Sequence, residues 1–153
     1  MTKIVYFDVQ ENETDFLKEH NEGKYDYALT QGSLNDLNPL KDSYKKAEII
    51  SVFTTSRVDE RVLGQFENLK LIALRSVGFN HIDLEYCNRN NIFVVNTPNY
   101  GNKSVAEFAF GLMLDVCRKI TKSYMDFKDM EVVPQKLIGT ELGGKTVGVI
   151  GLG

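Results

Sequence analysis

A chain of 153 residues, 42% hydrophobic and 25% charged, is long enough to bury one ordinary globular core. Its net charge of −3 leaves no basic footprint for nucleic acid or an anionic membrane surface, so neither is expected as a partner. No apolar run approaches the roughly 20 residues needed to cross a bilayer, and the N-terminus from Met1 to Asp8 has no long apolar leader.

Lys3 to Asp8, rich in β-branched and aromatic residues, predicts a first strand. Glu11 to His20 has helical character, Tyr25 to Leu29 predicts a second strand, and Gln31 to Leu40 a loop or single helical turn. A third strand over Glu48 to Phe53 ends in the polar stretch Thr54-Thr-Ser-Arg57. Val58, Val62 and Phe66 are spaced four apart, which predicts a short amphipathic helix over Val58 to Phe66. Leu69 to Leu74 reads as a strand, Asp83 to Asn90 as a helix and Ile92 to Val95 as a fifth strand. Strands alternating with helices at this spacing predict an α/β, doubly wound parallel sheet of flavodoxin-like order 2-1-3-4-5 over residues 1–101.

Residues 102–140 then change character. Asn102 to about Asp126 predicts one long helix, opened by a capping box at Ser104-x-x-Glu107. Val105, Phe108, Phe110, Leu112, Leu114 and Val116 spread around nearly every side of it. A helix apolar all round needs cover all round, and the helix at 104–126 is therefore expected to form an interface with a second domain or partner subunit. Lys128 to Gly144 reads as a linker. Residues 141–153 predict one more buried parallel strand, through Val147, Val149 and Ile150. Gly151-x-Gly153 would be the first two glycines of a G-x-G-x-x-G dinucleotide motif. The motif's third glycine and phosphate-binding helix are not in the sequence, so no cofactor is expected bound to this chain.

Two segments carry candidate chemistry. Arg75-Ser-Val-Gly-Phe-Asn-His-Ile-Asp83 follows a strand, where open α/β sheets gather ligands. With no Cβ at Gly78, the amides of Val77 and Gly78 can turn outward as an anion nest, with Phe79 lining it. A plain turn in which Asp83 caps the next helix is the alternative. In Asn96-Thr-Pro-Asn-Tyr-Gly101, Tyr100 offers a ring and hydroxyl that could close over a small ligand, or simply pack. Phe53, ending the third strand, is a further candidate wall.

The remaining reactive side chains are read as inert. His20 closes a surface helix. His81 has no carboxylate partner assignable from sequence, and neither histidine has a second ligand at metal-binding spacing, so no metal site is expected. Asp8 sits where a receiver domain keeps its phosphoacceptor. The acidic pair and strand-end lysine of such domains are not evident, which sets that reading aside. Cys87 and Cys117 lie far apart with no C-x-x-C pairing and read as reduced thiols of a cytoplasmic protein.

Three segments together resemble the D-isomer-specific 2-hydroxyacid dehydrogenases, and within them the D-lactate dehydrogenase branch. They are Ser76-Val-Gly-Phe-Asn-His-Ile-Asp83, Asn96-Thr-Pro-Asn-Tyr-Gly-Asn-Lys-Ser-Val-Ala-Glu107 and Leu142-Gly-Gly-Lys-Thr-Val-Gly-Val-Ile-Gly-Leu-Gly153. The resemblance implies the N-terminal part of an NAD-dependent oxidoreductase that reduces a small 2-oxoacid, such as pyruvate, to the D-2-hydroxyacid. It implies a flavodoxin-like substrate domain, the opening strand of a Rossmann domain and a homodimer through the long helix. Carboxylate-binding amides would fall on Val77 and Gly78, and an aromatic wall on Tyr100 and Phe53. Gly151 and Gly153 would belong to the NAD site. The family's catalytic histidine, its acidic partner and its arginine lie downstream of Gly153, so His81 and Arg75 inherit no catalytic role. The chain alone is then expected to be inactive. The competing expectation is a non-catalytic dimerisation or protein-binding module of the same fold, resembling the corepressors that share it.

Overall fold

The computed structural model describes residues 1–37 and 39–151. Gly153, half of the expected glycine pair, lies outside them. Two compact units divide the chain after Tyr100.

In the first unit, β1 (Lys3–Tyr6), β2 (Asp26–Leu29), β3 (Ile49–Val52), β4 (Leu71–Leu74) and β5 (Phe93–Val95) form one parallel sheet in the order β2-β1-β3-β4-β5. This is the flavodoxin-like winding that the alternation of patterns predicts. The register stacks one apolar row across all strands: Ala28, Val5, Ile50, Ile72 and Val94. Val5, Ile50 and Ile72 are wholly buried in a core completed by Phe7, Leu34, Val52, Val62, Leu63 and Cys87. Phe7 meets Tyr44 edge-on, with ring centroids 5.8 Å apart.

The helices of this unit are short: α1 (Thr14–Asn21), α2 (Asp42–Lys45), α3 (Glu60–Leu63) and α4 (Leu84–Arg89). The helix expected over Val58 to Phe66 contracts to α3 because both ends are fixed locally. Asp59 accepts from the Val62 amide as N-cap, and Gly64 closes the C-terminus. Val58 instead makes a parallel bridge to Ile82. The turn α2 goes unsignalled because its four residues show no period. The opposite face of the sheet is less covered: β5 leaves Phe93 and Val95 exposed.

In the second unit, the long helix is interrupted. α5 (Asn102–Arg118) and α6 (Ile120–Lys128) meet at Lys119, whose backbone is left-handed with φ 56°. Asp115 fixes the break by accepting from both the amide and the hydroxyl of Thr121. The linker fixes it from the other side, where Thr140 donates to the Cys117 carbonyl at 2.7 Å. Gly139 packs so close there that a Cβ would lie 2.5 Å from the Cys117 carbonyl oxygen.

The capping box also fails. The helix begins at Asn102, as expected, which puts Ser104 inside it rather than at its cap, and the Ser104 hydroxyl donates to the Gly101 carbonyl at 2.9 Å. Residues 145–150 pair with no strand among the described residues. A parallel strand takes its hydrogen bonds from neighbours, and the described residues of this unit form no strand.

Candidate functional site

Every loop at the carboxyl edge of β1, β3, β4 and β5 belongs to the first unit, and side-chain hydrogen bonds cross-link them. Thr97, after β5, donates its hydroxyl to the Leu74 carbonyl at 2.9 Å and its amide to the Ser76 carbonyl at 3.0 Å. Arg75, ending β4, reaches across the edge. Its guanidinium donates to the Phe7 and Asp8 carbonyls at 2.8 and 3.0 Å and to Ser51 Oγ at 3.0 Å. Its Nε pairs with Glu13 at 3.3 Å. Those contacts occupy the guanidinium inside the protein, which makes Arg75 a clasp rather than a free grip for substrate.

The loop after β4 holds the two amides expected to form an anion nest. The Gly78 carbonyl accepts from Ser76 Oγ at 2.8 Å, and the Val77 carbonyl accepts from Asn96 Nδ2 at 2.8 Å. Both carbonyls are therefore held within the protein. The amides of Val77 and Gly78 donate to nothing among the described residues, and both residues are exposed. Unpaired amides side by side attract an anion. Gly78 does not use the left-handed backbone that only glycine tolerates well. A Cβ built on it would meet nothing within 4 Å. Asp83 caps α4, accepting from the Tyr86 amide at 2.9 Å, so the cap given as the alternative is present beside two amides without a partner among the described residues.

Phe53, Val77 to Phe79, and Tyr100 thus follow the adjacent strands β3, β4 and β5. Phe53 is half-buried, and its amide donates to Asp8 Oδ2 at 2.8 Å. Tyr100 is 65% exposed. Phe79 turns to a shallow depression of about 190 Å³ shared with Leu74, Leu84, Val94 and Asn96. A larger polar cleft, about 500 Å³, lies next along the edge, lined by Thr54, Thr55, Arg57, Asn80, His81 and Asp83 among others. None of the five residues expected to bind substrate lines that cleft.

His81 is only partly buried, but its Nε2 is shut off from solvent with no hydrogen-bond partner. Burial pushes its pKa below the ordinary histidine value, against a smaller opposing pull from the Asp8 charge. With no carboxylate hydrogen-bonded to the ring, nothing prepares it as a proton donor. Burial, with the Asp83 charge, pushes the Cys87 thiol up and leaves it unreactive. No cluster among the described residues could hold a metal ion, and no helix is long and apolar enough to cross a membrane.

The described residues do not fit a dinucleotide. Gly151 has the left-handed φ of 88° that a tight glycine turn uses, but it is exposed with no strand leading into it. No helix follows it in the chain to hold a pyrophosphate among those residues.

Asp8, set aside with the receiver reading, is the residue whose place at this edge the sequence did not give. It is 2% exposed, has a left-handed φ of 55°, and accepts from the Phe53 amide and from Thr55 Oγ1 at 2.9 Å. A carboxylate just past the end of the first strand is the one signal that could have pointed to it.

Residues 4–146 match the family model for the D-isomer specific 2-hydroxyacid dehydrogenase catalytic domain. The chain is similar to 2-hydroxyacid dehydrogenase homolog 1 of Schizosaccharomyces pombe, 34% identical over 99% of this chain and 46% of the relative. It is also similar to the D-3-phosphoglycerate dehydrogenase of Methanocaldococcus jannaschii, 36% identical over 100% of this chain and 28% of the relative. The crystal structure of D-lactate dehydrogenase from Aquifex aeolicus, complexed with NAD and lactic acid, superposes with a TM-score of 0.83 at 29% identity. The match covers 91% of this chain and 41% of that one. The chain thus spans less than half the length of these relatives.

Proposed function

The chain belongs to the D-isomer-specific 2-hydroxyacid dehydrogenase family of oxidoreductases, and on that premise we propose that it supplies the substrate-binding half of an NAD-dependent enzyme. That enzyme would reduce a small 2-oxoacid, such as pyruvate, to the D-2-hydroxyacid. The observation that carries the reading is the pair of adjacent amides at Val77 and Gly78, exposed and without a partner among the described residues. A 2-oxoacid presents a planar carboxylate, and two adjacent N–H donors suit its two oxygens. Phe53 and Tyr100, at the ends of the flanking strands, are assigned the wall around the acid's carbon chain. The lactic acid bound by the Aquifex relative supports a short acid.

No hydride or proton step is assigned to the residues described here. Arg75 is spent on backbone carbonyls, His81 lacks an orienting carboxylate, and Gly151 stands alone. NAD is assigned to the whole enzyme as hydride carrier, with Gly151 and Gly153 opening its site. A coupled assay in both directions, with pyruvate and NADH and with D-lactate and NAD, tests this on the 153-residue chain and on a form extended through a cofactor domain. Turnover is expected in the extended form alone; turnover by the short chain contradicts the division of labour.

We also assign a homodimer to the segment 104–126, which α5 and α6 share. Phe108 and Val116 of α5, 69% and 76% exposed, support it, as do Tyr124 and Phe127 of α6. The same apolar face would serve a non-catalytic binding module, and an extended form that dimerises without turning over any 2-oxoacid selects that second reading.

A further inference from the structure

Asp8 is the one fully buried acidic residue among the described residues, and no lysine, arginine or histidine forms an ion pair with its carboxylate there. A buried carboxylate without a counter-charge is costly unless its oxygens are well used. Here both are used, and both serve the same loop. Oδ2 takes the Phe53 amide at 2.8 Å and Oδ1 the Thr55 hydroxyl at 2.9 Å. Its own carbonyl receives Arg75 Nη2 at 3.0 Å, two residues before the Val77 amide, which has no partner among the described residues. One residue after β1 therefore touches the start of both substrate loops. Its left-handed backbone turns the side chain across the strand ends, a conformation open to Gly, Asn and Asp.

We propose that Asp8 is a positioning residue for the 2-oxoacid site, setting the Phe53 wall against the Val77–Gly78 amides through its carboxylate and carbonyl. The proposal rests on the substrate reading above and adds a residue that touches no substrate. A residue needed only for stability would be replaceable at a cost in folding alone. A positioning residue changes the geometry presented to the acid in molecules that are still folded.

Asp8→Gly deletes the carboxylate without straining the backbone, and Asp8→Asn keeps an acceptor for Phe53 and a donor for the Thr55 hydroxyl. Amide hydrogen exchange and a pyruvate titration followed by ¹⁵N NMR, on the 153-residue chain, separate the two roles once global stability is normalised by urea unfolding. Asp8→Gly is expected to speed exchange of the Phe53 amide at least about tenfold beyond the global change, and to weaken pyruvate binding about tenfold. Asp8→Asn should stay within about threefold of the parent in both. Should Asp8→Gly fail to fold, Thr55→Val removes one of the two ties from the other side and should weaken binding about threefold. Folded Asp8→Gly with parental Phe53 exchange and parental pyruvate affinity overturns the proposal. A parent chain whose Val77 and Gly78 amides ignore pyruvate overturns the substrate reading instead. The Phe53 exchange, which needs no ligand, then still decides whether Asp8 holds the loop.

Discussion

The two compact units carry apolar side chains of similar kinds and treat them oppositely. In Met1–Tyr100, one row of side chains crosses five strands and closes into a core where Val5, Ile50 and Ile72 lose all contact with water. Beyond Tyr100, neither α5 nor α6 buries a single residue, and Phe108, Val116, Tyr124 and Phe127 stand in solvent. Burying a large apolar side chain stabilises by roughly 1.5–3 kcal/mol. The first unit collects that stabilisation internally, whereas the second can collect it only from another surface. On the proposal of a homodimer, the difference separates what this chain accomplishes alone, which is to shape a sheet edge and its loops, from what it leaves to association.

The sharpest contrast is between core and helix. Ile50→Ala should destabilise the first unit by about 2–5 kcal/mol, the cost of a cavity in a fully buried site, read as a lowered urea midpoint. Phe108→Ser should leave that midpoint within about 0.5 kcal/mol and convert a dimer to monomer in sedimentation velocity. A large stability loss from Phe108→Ser without loss of a dimer would break the comparison.

A smaller effect falls on the edge itself. An added methyl at Gly78 meets no protein atom within 4 Å, so Gly78→Ala should fold as well as its parent. It should weaken pyruvate binding about tenfold, or about 1.4 kcal/mol, by filling the space before the amides. Unchanged affinity would show that the acid lies elsewhere along the edge.

The smallest effect is one of pH. Burial holds folded His81 below the ordinary value of about 6.5, so near and below that pH the unfolded chain binds the proton more readily. Stability from this group is complete above about pH 6.5 and declines as the pH falls toward the depressed folded value. Comparing urea midpoints at pH 7 and 5.5 checks it: His81→Asn should flatten the decline, and an identical decline in both chains removes the assignment.

What the sequence makes legible follows from distance along the chain. The five strands announce themselves as short β-branched runs, and their parallel order follows from the helical segments between them. The proposed nest at Val77 and Gly78 could be named from sequence because its residues are contiguous. The role of Asp8 could not, since its partners Phe53 and Thr55 lie 45 and 47 residues away, and no local pattern encodes such a tie. The break at Lys119 is hidden for the same reason: lysine favours helix, and the Gly139–Thr140 segment that fixes the turn lies some 20 residues on. The length of α3 is a different failure, because the apolar spacing of Val58, Val62 and Phe66 outweighed the stop signals of Asp59 and Gly64.

The claim on which the rest depends is that a carboxylate is received by the amides after β4. Titrating pyruvate into ¹⁵N-labelled chain and following every backbone amide tests it directly. Saturable downfield shifts at Val77 and Gly78, with smaller changes at Phe53 and Tyr100, are the predicted result. Shifts confined to Thr54, Arg57 and Asn80 in the neighbouring cleft, or no shift at millimolar pyruvate, would contradict it.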